Sequence, residues 1–284
     1  MADDAIAQIP RALPTALIIR PLSKRIPVDL HEIWEYRELL YFFIWRDVKV
    51  RYKQTALGFL WILIQPLFMM LIFSFFFGRL ARIPSGGIPY ALFALAGLLP
   101  WILFSEGFTR ATNSMVSNAH IMTKVYYPRL IMPLAGILSP LIDFVIAFFL
   151  LIAVMIYFSV MPLPTTVLLP FFIVMAVLSS FGVGLWLSAL NVMYRDFQYV
   201  VPFLIQVWLF ASPIVYPSYV VPEDLRLFYW MNPMAGVIEG FRWALFGTPL
   251  PLDLFMISWG IVIVLVTTGL FYFRRMEQYF ADVV

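Results

Sequence analysis

Long apolar stretches without Asp, Glu, Lys or Arg recur along this chain and dominate its pattern of hydrophobic and polar positions. A helix that crosses about 30 Å of hydrocarbon needs about 20 mostly apolar residues, so these stretches predict membrane-spanning helices. The uncharged run at residues 144–194 is long enough for two crossings, and the proline-containing break at 161–164 divides it. We therefore predict about six spans, near residues 57–78, 90–112, 130–158, 165–190, 199–217 and 253–273.

The composition supports a membrane protein and excludes several other classes. Of the 284 residues, 63% are hydrophobic and only 12% are charged, whereas about a quarter are charged in a soluble domain. The isoelectric point near 9.1 accompanies a net charge of only +3 without an exposed basic patch, so we expect no nucleic-acid partner. The absence of cysteine excludes disulfides, thiolate metal sites and cysteine nucleophiles, and with two histidines we expect no metal site.

The distribution of basic residues predicts the orientation. With six spans and a cytoplasmic N-terminus, fifteen of the 19 Lys and Arg residues fall on the cytoplasmic side, where such residues are preferentially retained. The apolar patch at residues 17–19 is too short for the core of a signal peptide. We therefore expect both termini in the cytoplasm, with residues 1–30 as an N-terminal arm and 31–284 as a single transmembrane domain.

Residues 31–53 have the pattern of an amphipathic helix that lies in the membrane interface. One face carries Glu35, Glu38, Arg46, Lys49 and Lys53, and another carries Ile33, Tyr36, Leu40, Ile44 and Val48. Its basic end precedes the first span, where it can meet lipid head groups or a lipid-linked diphosphate, or serve only as a positive anchor without a ligand. The candidate head-group residues are Arg46, Lys49, Arg51 and Lys53.

Asp143 is the charge that we place inside a predicted span. Its insertion penalty of about 2.5–3.5 kcal/mol is outweighed by the many Leu, Ile, Phe and Val residues of the same span. It is either a hydrogen-bonded packing residue or a group on a transport or proton pathway. Because we identify no second acid or base within the membrane, the packing role is favoured.

Residues 222–247 are too amphipathic to span a membrane and too apolar for a free loop, so we predict two short re-entrant helices on the outer side. Asn232 and Pro233 separate the two helices. Glu239 and Arg242 are three residues apart and can pair on one helix face. The aromatic residues of this region suit either an interfacial belt or stacking on sugar rings. Candidates for an outer gate are Tyr229, Trp230, Glu239, Arg242 and Trp243.

The chain lacks the motifs of nucleotide binding and of hydrolysis. It contains no G-x-x-x-x-G-K-[ST] phosphate loop, no G-x-S-x-G elbow and no H-E-x-x-H helix. We therefore expect no catalytic residues and, if the chain is an active transporter, an energy source in another subunit or in an ion gradient.

Several short motifs carry a resemblance to a known family. They are the run at 46–53, Leu57-Gly58, residues 61–66, 124–133, 191–196 and 212–217, Asn232-Pro233, residues 240–242 and the tail at 277–283. In this order, over residues 35–284, they resemble the permease subunits of ABC-type polysaccharide exporters, which export lipid-linked O-antigen, capsule or teichoic-acid chains.

The resemblance implies a homodimer in the bacterial cytoplasmic (inner) membrane with two copies of a cytoplasmic ATP-binding subunit. ATP and Mg would be bound by that partner, with no cofactor in this chain, and the cargo would be a lipid-linked polysaccharide. The first and fifth spans would line the channel, with Trp61, Phe68, Phe203, Trp208 and Tyr216 as candidates. Residues 31–53 and 114–127 would contact the ATPase, with Glu35, Glu38, Met115, His120, Met122, Lys124 and Tyr126 as coupling candidates.

Three other functions remain open from the residues alone. An ABC-type exporter of drugs or small lipids would share the architecture and differ in its cargo. An ion-coupled secondary transporter would need an inverted repeat and ionisable sites within the membrane. A membrane-embedded glycosyltransferase would need acidic catalytic or metal-binding residues on one cytoplasmic face.

Overall fold

The computed structural model describes residues 30–53, 58–122, 124 and 126–280, without the side chains of Leu30 and Met122. These residues form helices joined by short connections, and no β-strand occurs among them. The predicted arm at 1–30 therefore lies outside the described residues except for its last position, as does the end of the tail motif. The helices are α1 Leu30–Glu35, α2 Arg37–Tyr52, α3 Leu60–Phe73, α4 Tyr90–Ser117, α5 Ala119–Met122, α6 Ile131–Leu138, α7 Pro140–Tyr157, α8 Leu169–Met193, α9 Phe197–Phe210, α10 Glu223–Trp230, α11 Pro233–Phe246 and α12 Leu252–Glu277.

Within the described residues, five helical segments are long and apolar enough to cross a membrane. They are Leu60–Leu80, Tyr90–Ser117, Ile131–Tyr157, Pro164–Met193 and Leu252–Glu277. The first includes a π-helical end, Ser74–Leu80, and the third joins α6 and α7 through a helical Ser139 despite Pro140. These segments coincide with five of the predicted spans, and the prediction of an all-α integral membrane protein is confirmed.

The predicted fifth span at 199–217 differs from the observed helix. Helix α9 ends at Phe210 and has 14 residues, which is shorter than a full crossing. The chain then leaves the helical conformation, since Pro213 and Pro217 lack the N–H that would continue it. The count of six spans thus stays a prediction.

Helix α4 is the centre of the bundle. In the apolar 18-residue stretch of its span, 78% of the residues are buried, compared with 17% in the span that contains α3. It packs against α8, where the Ser180 hydroxyl donates to the Phe104 carbonyl at 3.1 Å and the Asn191 amide donates to the Thr112 carbonyl at 3.1 Å. Because these α8 side chains donate to backbone carbonyls of α4, their polar groups are satisfied where the two spans pack together.

The predicted interface helix at 31–53 is divided in two at Tyr36, whose backbone is not helical. Helix α2 packs its Phe43 and Val48 side chains onto the bundle, with the Phe43 ring edge-on to Tyr127 at 6.0 Å. Burial raises the pKa of Tyr127 to about 12, so its hydroxyl stays neutral. A second apolar face, which the sequence prediction did not include, is exposed and consists of Trp34, Tyr41, Phe42 and Trp45. We call this end of the bundle the α2 end.

The opposite end, the α11 end, contains the two helices predicted at 222–247. Helix α11 has Pro233 as its first residue and Asn232 as its N-cap. The Asn232 side chain accepts a hydrogen bond from the Met234 N–H at 2.9 Å. It ends at Gly247, which has a left-handed φ of 69°. Two helices separated at Asn232 are therefore confirmed, while their re-entrant position in a membrane stays a prediction.

Candidate functional site

A cavity of about 250 Å³ lies at the α2 end, between the end of α2 and the helices α3, α4 and α7. Its lining combines charged side chains with apolar ones. The charged members are Arg51, Glu106, Arg110 and Asp143. Charged groups in membrane-spanning helices almost always face the protein interior or an aqueous cavity, so this place is a candidate functional site.

Asp143 connects the cavity to the interface helix. Its carboxylate forms an ion pair with the Arg51 guanidinium and accepts a hydrogen bond from the Tyr52 hydroxyl at 2.7 Å. Arg51 and Tyr52 are at the end of α2, whereas Asp143 lies in the first turn of α7. The two contacts therefore fasten the interface helix to a membrane span. This geometry supports a hydrogen-bonded packing role for Asp143.

Glu106 and Arg110 form a second pair on the same wall of the cavity. The Arg110 Nη2 donates to the Glu106 carboxylate at 3.1 Å, one helical turn away on α4. Both residues belong to the span Tyr90–Ser117. The prediction that no second acid or base accompanies Asp143 within the membrane is therefore wrong. Because Glu106 and Arg110 compensate each other, a span can contain both charges.

Three guanidinium nitrogens of the cavity lining have no hydrogen-bond partner among the described residues. They are Nε and Nη2 of Arg51 and Nε of Arg110, all buried. A buried donor without a partner costs about 1–3 kcal/mol, and more when it belongs to a charged group. The cavity is therefore suited to a ligand that supplies hydrogen-bond acceptors.

The four candidate head-group residues lie in different surroundings. Arg51 lines the cavity, while Arg46 is paired with Asp47 at 2.8 Å and lies over the Phe43 ring. Lys49 and Lys53 are exposed. The structure thus separates one inward-facing arginine from two exposed lysines, and it adds Arg110, which the sequence analysis missed.

Among the channel-lining candidates, three are exposed and two are not. Trp61 and Phe68 on α3 and Phe203 on α9 are 54%, 58% and 64% exposed. Both helices pack on α4 and leave most of their apolar surface uncovered. A second chain or lipid must cover such surfaces, because a large exposed apolar patch marks an interaction site.

Trp208 and Tyr216 instead make contacts within the chain. The Trp208 ring lies edge-on to Phe104 with centroids 5.0 Å apart, and its Nε1 donates to Asn232 at 2.8 Å. The Tyr216 hydroxyl donates to the Phe210 carbonyl at 3.0 Å. In this conformation Trp208 and Tyr216 hold α9 and the segment after it in place.

The outer-gate candidates surround a buried ion pair at the α11 end. Arg242 Nη1 lies 3.7 Å from the Glu239 carboxylate, as the three-residue spacing predicts. The Arg242 guanidinium donates to the carbonyls of Phe93, Pro213 and Ile214, at 2.5–3.2 Å. Arg242 is completely buried. Its N–H groups supply hydrogen-bond donors to backbone carbonyls in the irregular segment after α9. Arg242 therefore fastens that segment to the start of α4.

The other outer-gate candidates differ in exposure. Glu239 is buried and accepts a hydrogen bond from the Ser218 N–H at 2.8 Å. Trp230 is also buried, whereas Tyr229 and Trp243 are half-buried. Both rings retain some exposed surface, but the Tyr229 hydroxyl is buried.

The coupling candidates divide into exposed and buried residues. Glu35, Glu38, His120, Lys124 and Tyr126 are exposed. The Tyr126 hydroxyl lies 3.4 Å from the Glu32 carboxylate, so the segment after α5 contacts α1. Met115, in contrast, is fully buried in the core, because α4 extends to Ser117. Its predicted direct contact with a partner is therefore wrong for this conformation, and the Met122 side chain lies outside the described residues.

Comparisons with known proteins place this architecture in context. The family model described as "ABC-2 type transporter" matches residues 38–246. The chain is 29% identical over 241 residues to the O-antigen export system permease protein RfbA of Klebsiella pneumoniae, covering 84% of this chain and 92% of that protein. It is 30% identical over 215 residues to RfbA of Myxococcus xanthus, covering 75% and 82%. The polysialic acid transport protein KpsM of Escherichia coli is 24% identical over 199 residues, covering 68% and 76%.

Proposed function

Because the chain belongs to the ABC-2 type transporter family, we propose that it is the membrane subunit of an ATP-driven exporter of a lipid-linked polysaccharide. The observation that carries this proposal is the likeness to O-antigen and polysialic acid transport proteins over two thirds or more of the chain. The sequence has no phosphate loop, so a separate cytoplasmic subunit would bind ATP and Mg. The cargo would move from the cytoplasmic to the outer face of the membrane.

The uncovered faces of α3 and α9 support a homodimer with a channel between its copies. Both faces are apolar and carry exposed aromatic rings, including Trp61, Phe68 and Phe203. A second copy would cover part of this surface. The remaining rings would offer flat apolar surfaces on which the C–H faces of sugars can slide, since such contacts are weak and repeated.

The contacts at the α2 end suggest how ATP hydrolysis would be coupled to transport. The exposed residues Glu35, Glu38 and Tyr126 would contact the ATP-binding subunit, with both termini in the cytoplasm. The Arg51 and Tyr52 contacts to Asp143 would transmit a displacement of α2 to α7. Helix α6 would follow, because α2 packs directly on it.

The exposed lysines of α2 would attract the diphosphate of the lipid-linked cargo. Lys49 and Lys53 lie at the end of α2 that precedes the first span, where the head groups of the cytoplasmic leaflet begin. Each basic residue near an anionic surface contributes about 1 kcal/mol of attraction. At the opposite end, Tyr229 and Trp243 would form part of the exit.

The test is transport by the complex of this chain and its ATP-binding partner in lipid vesicles. We expect ATP-dependent movement of a lipid-linked glycan, together with stimulation of ATP hydrolysis by that glycan. The double substitution K49Q/K53Q should lower transport by up to about 25-fold and leave assembly intact, since about 1 kcal/mol corresponds to a factor of roughly five for each lysine. The matched control is R226Q, which removes an exposed charge at the α11 end.

Two outcomes would contradict the proposal. Transport by this chain without any ATP-binding partner would exclude the ATP-driven mechanism. Stimulation of ATP hydrolysis by drugs or small lipids, but not by the glycan, would favour an exporter of those smaller compounds. Such an exporter would have the same architecture.

A further inference from the structure

The cavity at the α2 end has a position that the transport proposal does not use. It begins beside the first turns of α3, where Trp61 and Gln65 contribute to its lining. A span starts at Leu60, so these turns lie where the hydrocarbon gives way to lipid head groups. Tryptophan is enriched at this depth of a membrane, and the Trp61 ring is more than half exposed. The mouth of the cavity is therefore at head-group level.

The walls of the cavity are amphipathic. The polar wall carries the two ion pairs, Arg51 with Asp143 and Arg110 with Glu106. The apolar part of the lining includes Leu103 and Phe144. Its volume, about 250 Å³, is slightly below that of the sites that hold drug-sized molecules. It thus fits a small polar group attached to an apolar chain, and not a segment of polysaccharide.

The unused hydrogen-bonding groups indicate the chemistry of the ligand. Arg51 and Arg110 retain three buried nitrogens without partners among the described residues. Each carboxylate engages only one nitrogen of its arginine, so the acids hold the guanidinium groups in place and leave donors available. Phosphate oxygens are strong acceptors, and arginine binds them through several parallel N–H bonds.

The charge balance decides which phosphate compound fits. Two arginines and two carboxylates line the cavity, so its formal charge is zero. A diphosphate would leave several uncompensated negative charges in a poorly solvated place, which is costly. A zwitterionic head group would keep the total at zero. Glu106 is available for its cationic end, because its side chain is 43% exposed and only one of its oxygens is bonded to Arg110.

We propose that this cavity binds the head group of a zwitterionic phospholipid, with its phosphate between Arg51 and Arg110 and its ammonium group at Glu106. The acyl chains leave past the partly exposed Ile62 and Ile102 toward the hydrocarbon. The bound lipid joins the end of α2 to α3, α4 and α7, so it stabilises the position of the interface helix. The site shares Trp61 with the surface that we assign to the channel, but it does not depend on the nature of the cargo.

The experiment measures lipid binding to the full purified chain, in complex with its partner subunit, by native mass spectrometry. The probes are phosphatidylethanolamine, anionic phosphatidylglycerol and diacylglycerol, which lacks a head group. We expect phosphatidylethanolamine to bind about fivefold or more tightly than phosphatidylglycerol, and diacylglycerol to bind weakest. No ATP or cargo is present, so a complex that failed to export glycan would still give an answer.

Substitutions in the cavity separate the roles of its charges. R110Q should weaken phosphatidylethanolamine binding about tenfold or more, since it removes charge-assisted hydrogen bonds. E106Q should abolish the preference for phosphatidylethanolamine without weakening phosphatidylglycerol. The double variant R51Q/D143N keeps the net charge unchanged, and R110K keeps the charge of position 110. Both variants should fold and still bind phosphatidylethanolamine less tightly than the original chain.

The matched control is R226Q, which removes a charge from the opposite end of the bundle and should change binding less than twofold. Equal affinity of the original chain for phosphatidylethanolamine and phosphatidylglycerol would overturn the proposal. Unchanged binding by R110Q, or an equal loss in R226Q, would do the same. Displacement of phosphatidylethanolamine by farnesyl diphosphate, at a concentration below the dissociation constant of phosphatidylethanolamine, would assign the cavity to prenyl diphosphates instead.

Discussion

The two ends of this bundle contain arginine–carboxylate pairs that differ in how completely the arginine is bonded. At the α11 end, Arg242 is fully buried and donates through Nε, Nη1 and Nη2 to three backbone carbonyls. At the α2 end, Arg51 and Arg110 each have a carboxylate partner but leave three nitrogens unbonded among the described residues. Arg242 satisfies backbone carbonyls, whereas Arg51 and Arg110 line a cavity.

The comparison separates a structural arginine from arginines that can bind a ligand. Arg242 donates to carbonyls of Pro213 and its neighbours, so its removal leaves these buried carbonyls without that donor and Glu239 without its ion-pair partner. Arg51 and Arg110 have partly exposed side chains, and water can reach the cavity if they are changed. We therefore expect substitutions at the α11 end to act on stability and those at the α2 end to act mainly on coupling and ligand binding.

The largest expected effect is that of R242A. Removing one partner of a buried ion pair typically costs about 3–5 kcal/mol, because it leaves an uncompensated charge. Here the carbonyls of Phe93 and Ile214 lose their donor as well. The free energy of unfolding of the detergent-purified chain should fall by about that amount. The control is R226A, in which an exposed pair with Glu223 is lost at about 0–1 kcal/mol.

Equal destabilisation by R242A and R226A would contradict the assignment of Arg242 as the residue that fastens the segment after α9. R242K refines the comparison. Lysine keeps the charge opposite Glu239 but cannot supply the forked set of donors, so it should recover only part of the lost stability.

A smaller effect is expected at Gly97, which allows α4 to approach the guanidinium of Arg242. A Cβ atom at this position would lie 2.8 Å from Arg242 Nη2 and 3.3 Å from the Ile214 Cα. G97A should therefore lower the free energy of unfolding by about 1–3 kcal/mol through overpacking. The control G260A places a Cβ in open space on α12. It should be neutral or stabilise the helix by up to about 1 kcal/mol. A neutral G97A would show that the junction is not tightly packed.

At the α2 end we predict a measurable coupling between Arg51 and Asp143. In a double-mutant cycle with R51Q and D143N, the two changes should be non-additive by about 1–2 kcal/mol, since the residues are in contact and partly buried. The four free energies of unfolding are measured in detergent, and the loss of α2 from the bundle is the signal that is monitored. The matched cycle with R46Q and D47N concerns two neighbours on α2 itself and should show less than about 1 kcal/mol. Additivity of R51Q and D143N would mean that the pair does not hold α2 to α7.

The spans were predictable from the sequence because an apolar run of about 20 consecutive residues is a strong local signal. The pairing of Glu239 with Arg242 was also predictable, since three residues on one helix are neighbours in space. The partner of Asp143 was not, because Arg51 is 92 positions away in the chain and only the packing of α2 on α6 brings the two together.

The burial of Arg242 and the early end of α9 depend on each other, because the arginine bonds to the carbonyls of the segment that follows the helix. Neither feature can be read from a local sequence pattern. Prolines in an apolar run indicate a bend, but whether the helix ends depends on a donor elsewhere that satisfies the free carbonyls. Glu106 and Arg110 were within reach of sequence reasoning. Two opposite charges four residues apart in an apolar run are the pattern of a compensated pair facing a cavity.

The smallest expected effect distinguishes the two sides of α9. W208F keeps the edge-on contact with Phe104 but removes the hydrogen bond to Asn232, so stability should fall by about 1 kcal/mol. F203L changes an exposed side chain and should alter stability by less than about 0.5 kcal/mol. Transport should show the opposite order, since an exposed ring can contact the cargo or the second copy and a bonded one cannot. If F203L leaves transport intact while W208F abolishes it at equal protein levels, the outward face of α9 does not line the channel and the inward face must move during the cycle.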